Sequence, residues 1–312
     1  MSETASGMSL STADSLTAPL LLAEARERVD GLLAAWAERI QTIVPGRTGE
    51  ALAYALNTPG KRVRPALVMA AFRSLGGVSP AIAAVAAAIE TVHTYSLVHD
   101  DLPCMDNDDL RRGRPTIHRA YDVPTATRVG FLLVPVAGLV LAQAAQDLLL
   151  PAPVLGRMAR ELFQASGIEG MVGGQWLDLE AEGKKLDHEG LIAVHRGKTG
   201  ALIRAACVLG AMAAEAPPRA VEALGRYGHE IGLAFQIADD LLDVTATSAQ
   251  LGKTAGRDAQ LEKSTYVSVL GVEQARAEAA ALAAQAMANL EQAGIPSGSL
   301  GALAQYIVSR ES

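Results

Sequence analysis

The chain has 312 residues, half of them apolar but only 4% aromatic, and a formal net charge of −7. That length allows one large domain or two ordinary ones, and the negative charge excludes a general nucleic-acid binder. Two cysteines, Cys104 and Cys207, give neither a disulfide framework nor metal-ligand spacing, so a reducing cytoplasm is the expected compartment.

Residues 1–17 are rich in Ser, Thr and Ala. They lack the basic start and apolar core of a signal peptide, and they carry acids but no Arg, unlike a transit peptide. A disordered tail is expected there, followed by one domain over 18–312. Apolar residues, mostly Ala and Leu, recur at helical period over 22–42, 80–99, 157–181, 199–215 and 219–243, without strand alternation. Pro45-Gly46, Gly76-Gly77, Pro151 to Pro153, Pro217-Pro218 and Gly294 to Pro296 punctuate the pattern as turns. The expectation is an all-α, single-domain bundle of ten or more helices. The longest uninterrupted apolar run, Val129 to Ala142, has 14 residues and contains Pro135. A membrane span needs roughly 20, so a buried core helix is expected and no span.

Two acidic clusters stand out against this background. The first is Asp100-Asp101-Leu-Pro-Cys-Met-Asp106-Asn-Asp108-Asp109, and 139 residues later comes Asp239-Asp240-Leu-Leu-Asp243. Carboxylates this close repel one another unless cations lie between them. Oxygen ligands without His or Cys favour a hard divalent ion, and Mg2+ typically takes one or two carboxylates plus substrate phosphates. Two clusters therefore point to a multi-Mg2+ site for a phosphorylated substrate. Asp239 and Asp243 share a helix face with Gln236, while Asp240 points elsewhere and is the weaker ligand candidate. In a regular helix Asp100 and Asp106 would be rotated about 240° apart. Pro103 removes that difficulty by biasing Leu102 out of helical geometry, so the helix should end there and Met105 to Asp109 can fold back over it.

Basic runs lie near the same helices. Gly60-Lys61-Arg62-Val63-Arg64-Pro65 opens a helix, Arg111-Arg112-Gly113-Arg114-Pro115 follows the first cluster, and Lys198-Thr199-Gly200 interrupts a helix. Arg offers a planar fork to phosphate and Lys a point charge. His93 stands seven residues before Asp100, two turns along the same face at about 10.5 Å.

With these motifs, and with Gly174-Gln-Trp-Leu-Asp-Leu179, Gly197-Lys-Thr-Gly200, Phe235-Gln-Ile-Ala-Asp-Asp-Leu-Leu-Asp243 and Gly252-Lys-Thr-Ala-Gly-Arg-Asp258 in order, the chain resembles the trans-isoprenyl diphosphate synthases from about residue 25 onward. Within that family it is most similar to the bacterial farnesyl diphosphate synthases. The resemblance implies an all-helical fold around a deep central cavity, usually a homodimer, with three Mg2+ ions, for which Mn2+ can substitute, clamping an allylic diphosphate. It implies Asp100, Asp106 and Asp239 as metal ligands with Asp243 in support. Arg111, Lys198 and Lys253 are implied for the allylic diphosphate, and Lys61, Arg64, His93 and Arg112 for isopentenyl diphosphate. The carbonyl at Lys198, the Thr199 hydroxyl and Gln236 would face an allylic carbocation. Tyr95, with Ser96 beside it, resembles the chain-length wall of C15 enzymes. Geranylgeranyl or geranyl diphosphate as product and a non-catalytic subunit are the alternatives. One departure is Gly130-Phe131 where the family usually has Gly-Asp. It is read as a compensated core change, ahead of a reshaped cavity wall or a divergent product.

Overall fold

The computed structural model describes residues 16–245 and 264–309. Most of the expected tail, and the expected ligand Lys253, lie outside the described residues. Helices α1 (Ala18–Ile43) and α2 (Arg47–Leu56) are separated by the predicted Pro45-Gly46 turn, and α3 (Val63–Ser74) and α4 (Ile82–Asp100) by the predicted Gly76-Gly77 turn. After α4 come a two-residue hairpin, β1 (Leu110–Arg111) and β2 (Arg114–Pro115), then α5 (Ile117–Ala120) and α6 (Val123–Asp147). Helices α7 (Ala152–Ser166), α8 (Met171–Glu180) and α9 (His188–His195) lead into a π-helical turn, Arg196–Gly200. It continues directly as α10 (Ala201–Ala213), and α11 (Pro218–Thr245) follows. The remaining elements are α12 (Tyr266–Leu270), α13 (Val272–Gln292) and α14 (Gly298–Ser309).

Helices α4 and α10 form the middle of the bundle. Ile82 through Val92 is buried at every position, which is why this stretch of Ala, Val and Ile has no polar face. α4 packs against α3 and α6, and α10 against α3, α7 and α11. A smaller apolar cluster of Leu191, Leu233, Ile237, Tyr266, Ala275 and Ala279 joins α9, α11, α12 and α13 behind the second aspartate cluster.

Three expectations are corrected. The 157–181 segment is two helices, because at Gly170 a Cβ would come within 2.2 Å of the Ala165 carbonyl oxygen, and glycine there lets the chain turn tightly. The hairpin was not expected, since two-residue strands carry no alternation to read; Arg112 and Gly113 both have positive φ, 54° and 76°, as a tight hairpin turn requires. Phe131 is no core residue: it is 76% exposed on the outer face of α6. The buried row of that helix is Val129, Leu133, Ala137, Val140 and Ala144, against which residue 131 falls on the opposite side. At 25 residues α6 is long and apolar enough to cross a membrane by length and composition, but this buried row packs against α4 as in the core of a globular bundle.

Candidate active site

The end of α4 shows how the first cluster is sorted. The helix stops at Asp100, two residues before the expected Leu102. The chain then doubles back, with the Asp106 N–H donating to the Asp100 carbonyl at 2.9 Å and the Asn107 N–H to the Leu102 carbonyl at 3.1 Å. Asp100 and Asp106 are thereby brought together and left partly open, whereas Asp101 and Asp108 are buried. Arg111 occupies the buried pair: its Nε donates to Asp101 at 2.9 Å and a terminal nitrogen to Asp108 at 2.9 Å. Burial pushes the Asp100 carboxyl up to about 6, opposed by Lys198 and reinforced by the neighbouring Asp106. A carboxylate so raised is one that a cation would stabilise.

The hairpin separates the two consecutive arginines. Arg111 lies on β1 and turns to Asp101, while Arg112 sits in the left-handed turn and donates to the Pro59 carbonyl at 2.6 Å. Gly60 permits that approach, since a Cβ there would lie 2.4 Å from the Arg112 guanidinium. Arg64 and His93 belong to the same basic group. Burial, then Arg64 and Arg112, hold the His93 imidazole well below its ordinary range, so it is neutral at pH 7. The Arg64 Nε is buried without a partner among the described residues. Lys61 is exposed beside them. Arg62 is different: it is 3% exposed, bridges Glu90 at 2.6 Å and Asp30 at 2.7 Å, and fixes the start of α3 between Lys61 and Arg64. Sequence reasoning gave Arg62 no role, although Glu90 in an otherwise apolar helix was the signal of a buried charge that needs a partner.

The π turn presents Lys198 and Thr199. It is gripped from both sides by glycines: a Cβ on Gly174 of α8 would lie 1.9 Å from the Lys198 nitrogen, and one on Gly232 of α11 would lie 2.8 Å from the Gly200 Cα. Lys198 Nζ donates to Asp178 at 2.6 Å, a residue quoted in the motifs without a role. Thr199 donates to the Gln236 carbonyl oxygen at 3.0 Å. On α11 the sorting repeats, with Asp239 partly open and Asp240 and Asp243 buried. Asp239 is close enough to Arg64 to act on its charge. Just ahead of the π turn, burial lowers the His195 imidazole to about 4; its ring stacks on Tyr266 at 5.5 Å.

Tyr95 is half-buried on α4, edge-on to His99 at 5.0 Å, and its hydroxyl is held above its ordinary range by burial and then by the Asp100 charge. His99 rests on Gly130 of α6, where a Cβ would come within 2.1 Å of its ring. Ser96 turns its hydroxyl back to the His93 carbonyl at 2.9 Å. A large concavity of about 880 Å³ between α7, α10 and α11 contains none of these residues.

The donor set fits Mg2+. Among the described residues no three His, Cys, Asp or Glu side chains converge on a single point, so the protein alone offers no closed cage there. Partly open carboxylates, the pair Asp100 and Asp106 and the single Asp239, match an ion that completes its shell with water and diphosphate oxygens.

Residues 46–294 match the family model of the polyprenyl synthetases. The chain belongs to the polyprenyl synthetase family. It is 46% identical over 265 residues to the farnesyl diphosphate synthase of Escherichia coli K12, covering 84% of this chain and 88% of that one. It is 42% identical over 275 residues to a chloroplastic heterodimeric geranylgeranyl pyrophosphate synthase large subunit of Arabidopsis thaliana, covering 86% and 73% of the two chains. An FPP/GFPP synthase crystal structure from Zymomonas mobilis superposes with a TM-score of 0.79 at 37% identity, covering 94% of this chain and 99% of that one. As a polyprenyl synthetase the chain is a prenyltransferase with the all-α isoprenoid synthase fold.

Proposed function

We propose that this prenyltransferase condenses isopentenyl diphosphate head-to-tail with dimethylallyl and then geranyl diphosphate, giving (2E,6E)-farnesyl diphosphate and diphosphate. The observation that carries this reading is the presence of two charged groups of different character. One is the pair of partly open carboxylates Asp100 and Asp106 beside Lys198, matched by Asp239; the other is the group of Arg64, His93 and Arg112. A reaction with one diphosphate substrate needs only the first.

Asp100, Asp106 and Asp239, with Asp243 behind, would hold three Mg2+ ions, or Mn2+ in their place, which when bound would supply positive charge to the departing allylic diphosphate. Arg111, Lys198 and Lys253 add charge on the same group. The carbon–oxygen bond breaks with its electron pair going to diphosphate, and the allylic C1 becomes cationic. The Thr199 hydroxyl and Gln236 carbonyl oxygen, already paired at 3.0 Å, turn their negative ends to it. Lys61, Arg64, His93 and Arg112 fix the second diphosphate; the unpartnered Arg64 Nε gains an acceptor, and neutral His93 donates without adding charge. The isopentenyl double bond then forms the new carbon–carbon bond. The proton lost from its C2 passes to the released diphosphate, so no enzyme base is consumed.

The growing tail is taken to stop at Tyr95, with Ser96 flanking it, which gives the C15 product. The second reading is a C20 product, favoured by the similarity to a plant geranylgeranyl synthase subunit. A homodimer is proposed, because α6 and α8 present Phe131, Leu139 and Trp176 at 76%, 59% and 62% exposure, and a cytoplasmic location, because Cys104 and Cys207 are both free thiols. One experiment tests the chemistry: labelled isopentenyl diphosphate is incubated with each allylic diphosphate, with and without EDTA. Mg2+-dependent elongation ending at C15 is the expected result, and undiminished turnover in EDTA would remove the metal assignment.

A further inference from the structure

The second aspartate of each pair is buried, and on α11 its contacts specify what it does. Gln236 and Asp240 are one turn apart on the same helix, and the Gln236 Nε2 donates to Asp240 Oδ1 at 3.1 Å. The other Asp240 oxygen accepts the Tyr266 backbone N–H at 2.8 Å. Tyr266 is itself fully buried in the apolar cluster behind α11, so the carboxylate is held from the rear by the core. At the front, the Gln236 carbonyl oxygen accepts the Thr199 hydroxyl at 3.0 Å. The four groups form one line from the core to the π turn.

A glutamine amide has nearly the same shape in both of its flipped orientations, and only its hydrogen bonds decide between them. The Thr199 hydroxyl cannot decide, because it can donate to the oxygen or accept from the nitrogen. An ionised carboxylate can only accept. With the Gln236 oxygen turned toward it, two acceptors would face each other without a proton between them. We infer that Asp240 is a positioning residue: it fixes the Gln236 amide with its NH2 to the core and its carbonyl oxygen toward Thr199 on the π turn, and it is not a metal ligand. This rests on the reading of Gln236 as a dipole facing the allylic cation. The flipped amide would turn the positive end of that dipole to the cation, raising the barrier to ionisation while leaving the metal ligands in place.

The test uses the full chain. Asp240→Asn is isosteric, but its oxygen is required by the Tyr266 N–H, so its NH2 faces Gln236 and inverts the amide. The expected result is a kcat about tenfold or more below the parent. The KM for both substrates and the half-saturating Mg2+ concentration should stay within about twofold, whereas Asp239→Asn, as comparator, shifts the Mg2+ dependence. The double variant Asp240→Asn with Gln236→Glu restores every bond in the line, since the new carboxylate accepts from both Asn and Thr199. It should recover most of the lost kcat, which a general packing defect would not. A Mg2+ shift in Asp240→Asn like that of Asp239→Asn overturns the inference, as does a folded double variant no faster than the single one. If Asp240→Asn fails to fold, a folded and active double variant still supports the inference, and failure of both to fold overturns it. Gln236→Met separates the underlying reading: a parent-like rate removes Gln236 from the chemistry, whereas a slow Gln236→Met with a parent-like Asp240→Asn removes only the role of Asp240.

Discussion

At the scale of single residues, burial sorts side chains that the sequence leaves alike. Asp100 and Asp101 are neighbours, yet one is left partly open and the other is buried and committed to Arg111. The same logic gives a prediction for Tyr95, whose ring senses the Asp100 charge and lies about 7.5 Å below it along α4. Tyr95→Ala opens space in the direction of chain growth, so products should shift from C15 to C20 or longer on chromatography after dephosphorylation. A folded, active variant that still stops at C15 would place the wall elsewhere. Burial also sets a pH dependence through His195, whose imidazole is lowered to about 4. The unfolded chain takes up this proton below about 6.5 and the folded one resists it. Its contribution is therefore complete above that pH and is lost as pH falls toward 4, by about 2 kcal/mol at pH 5. Asp100 and Asp101, raised to about 6, act in the opposite sense, so the parent must be compared with His195→Gln. Urea melts at pH 7 and pH 5 should show the variant losing less stability than the parent; equal losses would assign the effect to other groups.

At the scale of elements, the π turn is the part of the site most dependent on close backbone contact. A Cβ at residue 174 would stand only 1.9 Å from the Lys198 nitrogen, so Gly174→Ala must push α8 and the turn apart. Overpacking of this kind costs about 1–3 kcal/mol of stability, and a displacement near 1 Å at reacting groups costs about 10²-fold in rate. Turnover should therefore fall much further than thermal stability does, and parent-like turnover would show that the turn tolerates the shift. The interruption at Lys198-Thr199-Gly200 was legible in the sequence because glycines break helical pattern, and the fold-back of Asp106 was legible because Pro103 forbids a continuous helix. The hairpin and the break at Gly167 to Gly170 were not, since short-range pattern carries no signal for a two-residue strand or for contact with a distant carbonyl. Partners far along the chain were equally hidden. Helical spacing said that Asp240 points away from Asp239, but not that it meets Tyr266, and it placed Arg62 beside Arg64 without revealing Glu90 and Asp30. Phe131 was legible and misread: two residues from both Val129 and Leu133, it lies off the buried row.

At the scale of the molecule, that exposed Phe131 makes a prediction about assembly. From Val129 to Gln146, 18 residues, α6 carries no charge, although much of its outer face is open. Phe163 of the following helix, α7, reaches the Gly138 position on α6, and α8 after it buries only Met171 and Gly174 of its ten residues. Phe131 and Leu139 of α6 and Trp176 and Leu177 of α8 are all exposed, and a second copy of this chain would cover them. In a two-fold interface every side chain counts twice. Burying one Phe contributes about 1.5–3 kcal/mol, so Phe131→Asp, which returns the residue type usual in the family, should weaken a dimer by about 3–6 kcal/mol. That corresponds to a dissociation constant raised by about 10²- to 10⁴-fold. Sedimentation over a wide concentration range measures it directly, with the melts of the isolated monomer as a control for folding. A parent that sediments as a monomer at micromolar concentration would remove the interface, and a dimer indifferent to Phe131→Asp would place it on another face and leave the exposed aromatic without a partner.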